Sequence, residues 1–202
     1  MRSRVLNLSL ALATLTALSA VSTASAAPER PAATTRSPTL ALSASDPQAV
    51  ALVEAVNTYR ARHQDTPPVT YDPQLAARAQ SWAAQCTGRY ESQVSVPSAH
   101  LVGQTMYSER YPDTADLTRR AVDAWYREGA TYDYARQQST TGAQTGHFTQ
   151  VVWSRSVRVG AALVPCTGGN LAGWNHLLVY WQEAGNVYGA YAANVHPLSP
   201  AD

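Results

Sequence analysis

No lysine occurs in this 202-residue sequence; its fifteen basic residues are all arginine, set against fourteen acidic ones for a formal charge of +1. That near-neutral balance provides no electrostatic footprint for nucleic acid or an anionic membrane. Beyond the N-terminal stretch, no apolar run reaches the roughly twenty residues that a bilayer span requires. There is no His-Glu-x-x-His, so the usual zinc-peptidase helix is unsupported. There is no Gly-x-Ser-x-Gly elbow of a serine hydrolase either. Cysteine is nearly absent. Cys86 and Cys166 are the only two, and neither has the basic or helix-start surroundings that make a reactive thiolate.

What is present begins at the N-terminus. Arg2 and Arg4 precede an apolar run from Val5 to about Val21, and Ala24-Ser25-Ala26 follows as a small-residue exit. These are the three parts of a secretory signal peptide spanning 1–26. A membrane anchor is the competing reading; a run rich in Ala, Ser and Thr that ends without a positive stop favours cleavage. Residues 27–46, rich in Ala, Pro, Ser and Thr, read as a disordered linker. The remainder, 47–198, suits one domain. In an exported chain an even cysteine pair is read as one disulfide, with two separate buried thiols as the alternative.

Asp46-Pro47-Gln48 and Asp72-Pro73-Gln74 repeat one tripeptide. Asp is a good N-cap, and Pro is tolerated at the first helical position because its missing N–H would be unpaired there anyway. Two helices are expected to start at these points, with Leu52, Val53, Val56 and Tyr59 on the first and Leu75, Ala79, Trp82 and Cys86 on the second. Residues 87–99 read as polar and turn-like, and a short helical turn is expected after Gly103. A third helix is expected from about Asp113 to Glu128, ending at Gly129. Phe148–Trp153, Val157–Val164 and His176–Gln182 are rich in Val, Trp and Tyr and read as strands of an antiparallel sheet. Helices first and strands later make an α+β domain with helices packed on a sheet.

The third helix carries the most useful local deduction. Its apolar face runs Leu117, Ala121, Ala124, Trp125, and the next position on that face is Glu128. A carboxylate near a helix C-terminus opposes the helix dipole. It needs a cationic or metal partner, or it snorkels out to water.

Gly146-His147-Phe148-Thr149-Gln150-Val151-Val152-Trp153 resembles the main signature of the CAP superfamily: cysteine-rich secretory, antigen-five and pathogenesis-related group-one proteins, here in the bacterial secreted branch. Asn57-Thr58-Tyr59-Arg60 resembles the family's first-helix Asn-x-x-Arg. Ala121 to Glu128 resembles the helix that ends in a family glutamate, and Gly185-Asn186-Val187 resembles the end of a second signature. The likeness covers about residues 48–195. It implies an α-β-α sandwich, with helices around a central antiparallel β-sheet, and a cleft holding two histidines and two acids.

On that resemblance His147 and His100 match the two histidines, which in the family can hold zinc or another divalent cation, and Glu128 matches one acid. Gln104 stands where the family has its second acid. The candidate tetrad is therefore His100, Gln104, Glu128 and His147, with weak metal binding expected at His100 and His147 and ligand contacts at Glu128 and Gln104. Gln supplies no charge, so a two-carboxylate hydrolase is disfavoured. Cys86 and Cys166 occupy positions compatible with a family disulfide. His63, His176 and His196 are read as structural.

Three functions follow from these expectations. The first is a secreted, monomeric binding protein for a small ligand, a lipid among them, or for a divalent metal, with no stable membrane insertion and no nucleic-acid partner. The second is a metal-assisted hydrolase or peptidase with Glu128 as base. The third is an extracellular interaction or toxin-like module. Fold alone does not choose between them.

Overall fold

The computed structural model describes residues 41–93 and 101–200. The expected signal peptide, most of the expected linker and His100 lie outside the described residues. Among the described residues no helix is long and apolar enough to cross a membrane.

Both Asp-Pro-Gln tripeptides start helices as expected. Asp46 caps α1 (Pro47–Arg60) by accepting from the Gln48 amide, and Asp72 caps α2 (Pro73–Ala83) by accepting from the amides of Gln74 and Leu75. Ahead of α1, the Leu42 carbonyl accepts from the Tyr71 hydroxyl. Between the two helices lies β1 (Thr70–Tyr71). Residues 103–109 form a strand, β2 (Gly103–Glu109), rather than a helical turn. The reason lies far away in sequence: β2 pairs along its whole length with β6 (Asn175–Gln182).

The third helix, α3, spans Leu117–Arg127 and passes into a 3₁₀ turn, Glu128–Thr131. It begins four residues later than expected, because Asp113 makes a local turn by accepting from the Ala115 amide. A two-stranded hairpin follows, β3 (Tyr132–Asp133) with β4 (Gln138–Ser139). The stretch from 148, expected as a strand, is instead part of a short helix, α4 (Gly146–Val151). Its β-branched Thr and Val suggest a strand, but a carboxylate from another part of the chain caps its N-terminus. Strand β5 (Arg158–Pro165) and β6 fall where the periodicity placed them.

The sheet order is β1-β5-β6-β2. The three long strands are antiparallel, as expected, while the two-residue β1 joins β5 in parallel, so the sheet is mixed. Because successive strand side chains face opposite ways, Leu177, Val179 and Trp181 of β6 enter one core and Leu178 and Tyr180 the other. The first core packs under α1, α3 and α4, the second under α2. This is an α-β-α sandwich. Gly160 of β5 lets α2 approach closely: a Cβ there would lie 2.2 Å from the Ala76 nitrogen. Cys86 and Cys166 form a disulfide that ties the end of α2 to the end of β5.

The Asn-x-x-Arg pair has a structural role. Asn57 exchanges two hydrogen bonds with the Val69 backbone. Arg60 is fully buried and donates to the carbonyls of Pro67, Val151, Trp153 and Ser154. Burial lowers its pKa to about 10, which leaves it charged at neutral pH. It therefore satisfies the last carbonyl of α4, that of Val151, together with the Trp153 and Ser154 carbonyls of the turn that follows and the distant Pro67 carbonyl.

Candidate functional site

The site is built where α3 ends and α4 begins. Oε2 of Glu128 accepts from the backbone amides of His147 (3.0 Å) and Phe148 (3.3 Å). Oε1 accepts from Nδ1 of the His147 ring at 2.7 Å. The carboxylate thus has the partner its position demands, and that partner is a helix start and an imidazole. Both side chains are partly buried, 16% exposed for His147 and 20% for Glu128. The imidazole leans on Trp125, with ring centroids 5.9 Å apart. Gly129, next to Glu128, must be glycine because Phe148 packs against it; a Cβ would meet the Phe148 ring at 2.5 Å.

The rest of the signature locks this geometry. Thr149 donates to Asn186 at 2.6 Å, and Asn186 donates to the Gly146 carbonyl. Gln150 is buried, donating to Ser156 and accepting from the Gly185 amide. Gly146–Trp153 and Gly185–Val187 are therefore one packed unit.

Glu128 on Nδ1 leaves the lone pair of His147 on Nε2. The hydroxyl of Tyr90 lies 3.1 Å from that nitrogen. Partial burial of this half-exposed side chain, and then the charge of Glu128, raise the Tyr90 pKa, so at neutral pH the phenol is protonated and donates to Nε2. The Gln144 side-chain amide lies 2.9 Å from Nδ1 at the surface. Sequence reasoning passed over Tyr90, because a tyrosine in a polar, turn-like stretch carries no periodic or motif signal.

Gln104 is not joined to this pair. Its Oε1 accepts from the Glu91 amide (2.8 Å) and its Nε2 donates to the Glu91 carbonyl (3.0 Å). Gln93 does the same to the backbone of Val102, at 2.8 Å in each direction. Glu91 itself accepts from Arg78 and from the Tyr180 hydroxyl. His100 lies outside the described residues.

His63 and His176 are engaged in the fold away from this pair. His63 bonds the Tyr126 hydroxyl and the His196 carbonyl, and His176 bonds Ser108. Burial lowers the pKa of both His63 and His176.

Among the described residues, the donors at this site do not by themselves fit a divalent cation, and His100, the other expected ligand, lies outside them. The one imidazole lone pair at the site already accepts from Tyr90, the Glu128 oxygens bond α4 and Nδ1, and the Gln104 amide is committed to Glu91. Among the described residues no group of three or more His, Cys, Asp or Glu could hold a metal.

Flanking the 3₁₀ turn is a hollow of about 530 Å³ lined by Tyr126, Arg127, Gly129, Ala130, Tyr134, Phe148 and Leu198. Its lining is mostly apolar. Arg62 stands over the Tyr59 and Tyr126 rings nearby, 4.9 and 5.9 Å from their centroids.

Comparison with known proteins agrees with this architecture. The model of the cysteine-rich secretory protein family (CAP) matches residues 53–181. The chain is 36% identical to Protein PRY2 of Saccharomyces cerevisiae over 151 residues, 73% of this chain and 41% of that protein. It is 36% identical to Pathogenesis-related protein 1A of Nicotiana tabacum over 120 residues, 58% of this chain and 66% of that one. The chain thus spans less than two thirds of either relative's length. Among solved structures it resembles NaASP2, determined with Zn2+, at a TM-score of 0.60 and 17% identity, covering 77% of this chain and 87% of that one. It also resembles the venom allergen-like protein 4 of Schistosoma mansoni at a TM-score of 0.55 and 16% identity, covering 77% and 97%. These last two bear on the fold alone. With its signature folded as a helix capped by Glu128, and the family match covering more than half of the chain, the chain belongs to the cysteine-rich secretory protein (CAP) family.

Proposed function

We propose that this protein is a secreted, extracellular binding protein that takes a small lipid with an anionic head, a free fatty acid being the simplest case, and that it has no catalysis of its own. The observation that carries this reading is the apolar hollow beside the 3₁₀ turn. Tyr126, Tyr134 and Phe148 supply aromatic walls, as small-molecule sites commonly do. Arg127 lines the same hollow and makes no ion pair among the described residues, so it is available to a carboxylate. Secretion is supported by the N-terminal export pattern and by the Cys86–Cys166 disulfide, which suits an oxidising compartment.

The hydrolase reading asks Glu128 to act as base. Three of the roughly four acceptor positions of a carboxylate are already taken. What Glu128 does instead is orient the imidazole and cap α4. The test is calorimetric titration of the folded protein with sodium palmitate. Wild type should bind, and Ala130→Trp, which fills the hollow from an exposed position, should lose binding. Absence of binding by wild type, or equal binding by the variant, would overturn the proposal.

A further inference from the structure

We infer that Tyr90 is the resident partner of Nε2 of His147 and that a strap formed by residues 87–93 holds it there, keeping divalent cations off the imidazole. A histidine binds zinc through the lone pair of a neutral ring nitrogen. Glu128 places the proton on Nδ1, so the lone pair is on Nε2. That lone pair accepts from the Tyr90 hydroxyl at 3.1 Å. One lone pair serves one partner, so a cation must displace the phenol.

The phenol is not held by its own burial, since Tyr90 is 48% exposed. The strap holds it. At one end Cys86 is bonded to Cys166. Next to it the Trp82 indole donates to the Arg89 carbonyl at 2.6 Å. On the far side of Tyr90, Gln104 grips both backbone groups of Glu91, and Gln93 grips both backbone groups of Val102. Two side-chain amides, one from each segment, thus clamp the opposite backbone. The Glu91 carboxylate adds bonds from Arg78 and Tyr180. Tyr90 lies between these anchors, so withdrawing it means breaking its own bond and loosening the clamp on one side.

Gln104 therefore does more than occupy the place of an acid. A glutamate could accept from the Glu91 amide but could not donate to the Glu91 carbonyl. The amide at this position and the phenol on His147 belong to one device.

The test compares wild type, Tyr90→Phe and the double variant Tyr90→Phe/His147→Ala. Each is titrated with zinc chloride at neutral pH. Tyr90→Phe keeps the ring and the strap but frees the lone pair. It should bind zinc at least tenfold more tightly than wild type, and the gain should vanish in the double variant. Nitrogen-15 NMR of the metal-free proteins supplies an independent readout. The Nε2 resonance of His147 should move toward that of an unbonded lone pair in Tyr90→Phe. Equal zinc affinities in wild type and Tyr90→Phe would overturn the inference. So would a gain that survives in the double variant, or an Nε2 resonance unchanged by loss of the hydroxyl.

Discussion

Glu128 closes the start of α4 by accepting from the His147 amide at 3.0 Å and from the same residue's Nδ1 at 2.7 Å. One carboxylate thus sets both the backbone and the side chain of His147. It gives negative charge to a helix N-terminus, where the dipole favours it, and it fixes the imidazole tautomer.

Replacing this carboxylate should therefore cost stability as well as geometry. Hydrogen bonds to charged groups contribute about 1.5–3 kcal/mol each. Three such bonds share one partly exposed group, so Glu128→Ala is expected to destabilise by about 2–4 kcal/mol. Urea unfolding measures this; a loss below about 0.5 kcal/mol would mean that α4 does not depend on the cap.

Arg60 presents the complementary case. It satisfies four backbone carbonyls from within the core. Arg60→Met fills similar volume but leaves those carbonyls without a donor, and is expected to cost about 3–5 kcal/mol. Lysine cannot reproduce the planar fork, so Arg60→Lys should recover only part of the loss. Denaturation midpoints of the two variants decide it: equal stability to wild type would refute the role.

Acid should weaken the fold through two buried histidines. Burial holds the folded-state pKa of His63 and His176 below the ordinary value. As pH falls below about 6.5, the unfolded chain takes up protons that the folded chain resists. Stability is therefore present above that value and is lost as pH drops toward the folded-state pKa. Unfolding free energies at pH 7.5 and 5 should show the decline, and His63→Gln with His176→Gln should flatten it. A decline unchanged in the double variant would assign the effect elsewhere.

Removal of the disulfide should act at two levels. The bridge closes a loop with a sequence separation of 80, for which chain entropy predicts a stabilisation of about 4–5 kcal/mol, with native bridges commonly giving about 2–5. Cys86→Ser with Cys166→Ser should lower stability by that amount. Because Cys86 adjoins the strap, amide exchange at residues 87–93 should also accelerate more than in α1. Uniform acceleration would show that the bridge does not anchor the strap.

Gln104→Glu removes the donor to the Glu91 carbonyl and sets a carboxylate against it. Protection of the strap should fall by at least about fivefold, the equivalent of one net hydrogen bond, as read by hydrogen exchange of the 87–93 peptide. Unchanged protection would contradict the clamp.

How far each feature could be read from the sequence follows from how local its cause is. Asp46 and Asp72 cap amides two or three residues on, so the starts of α1 and α2 were legible in two tripeptides. The β-rich runs Val157–Val164 and His176–Gln182 located β5 and β6 to within a residue, and the eight-residue signature identified the family. The position of Glu128 on an apolar face showed that it needed a partner.

Tertiary structure alone decided which partner. Glu128 reaches across nineteen residues to His147, and this cap makes α4 a helix where Thr149, Val151 and Val152 suggested a strand. Residues 103–109 become a strand because β6, some seventy residues on, offers a ladder. Gln104 and Tyr90 have their roles only once the strap lies beside β2. Local hydrogen bonds are encoded by neighbours in the chain; capping by a distant carboxylate, strand pairing and side-chain clamps exist only after the chain has folded back on itself, and they are what shape the site around His147.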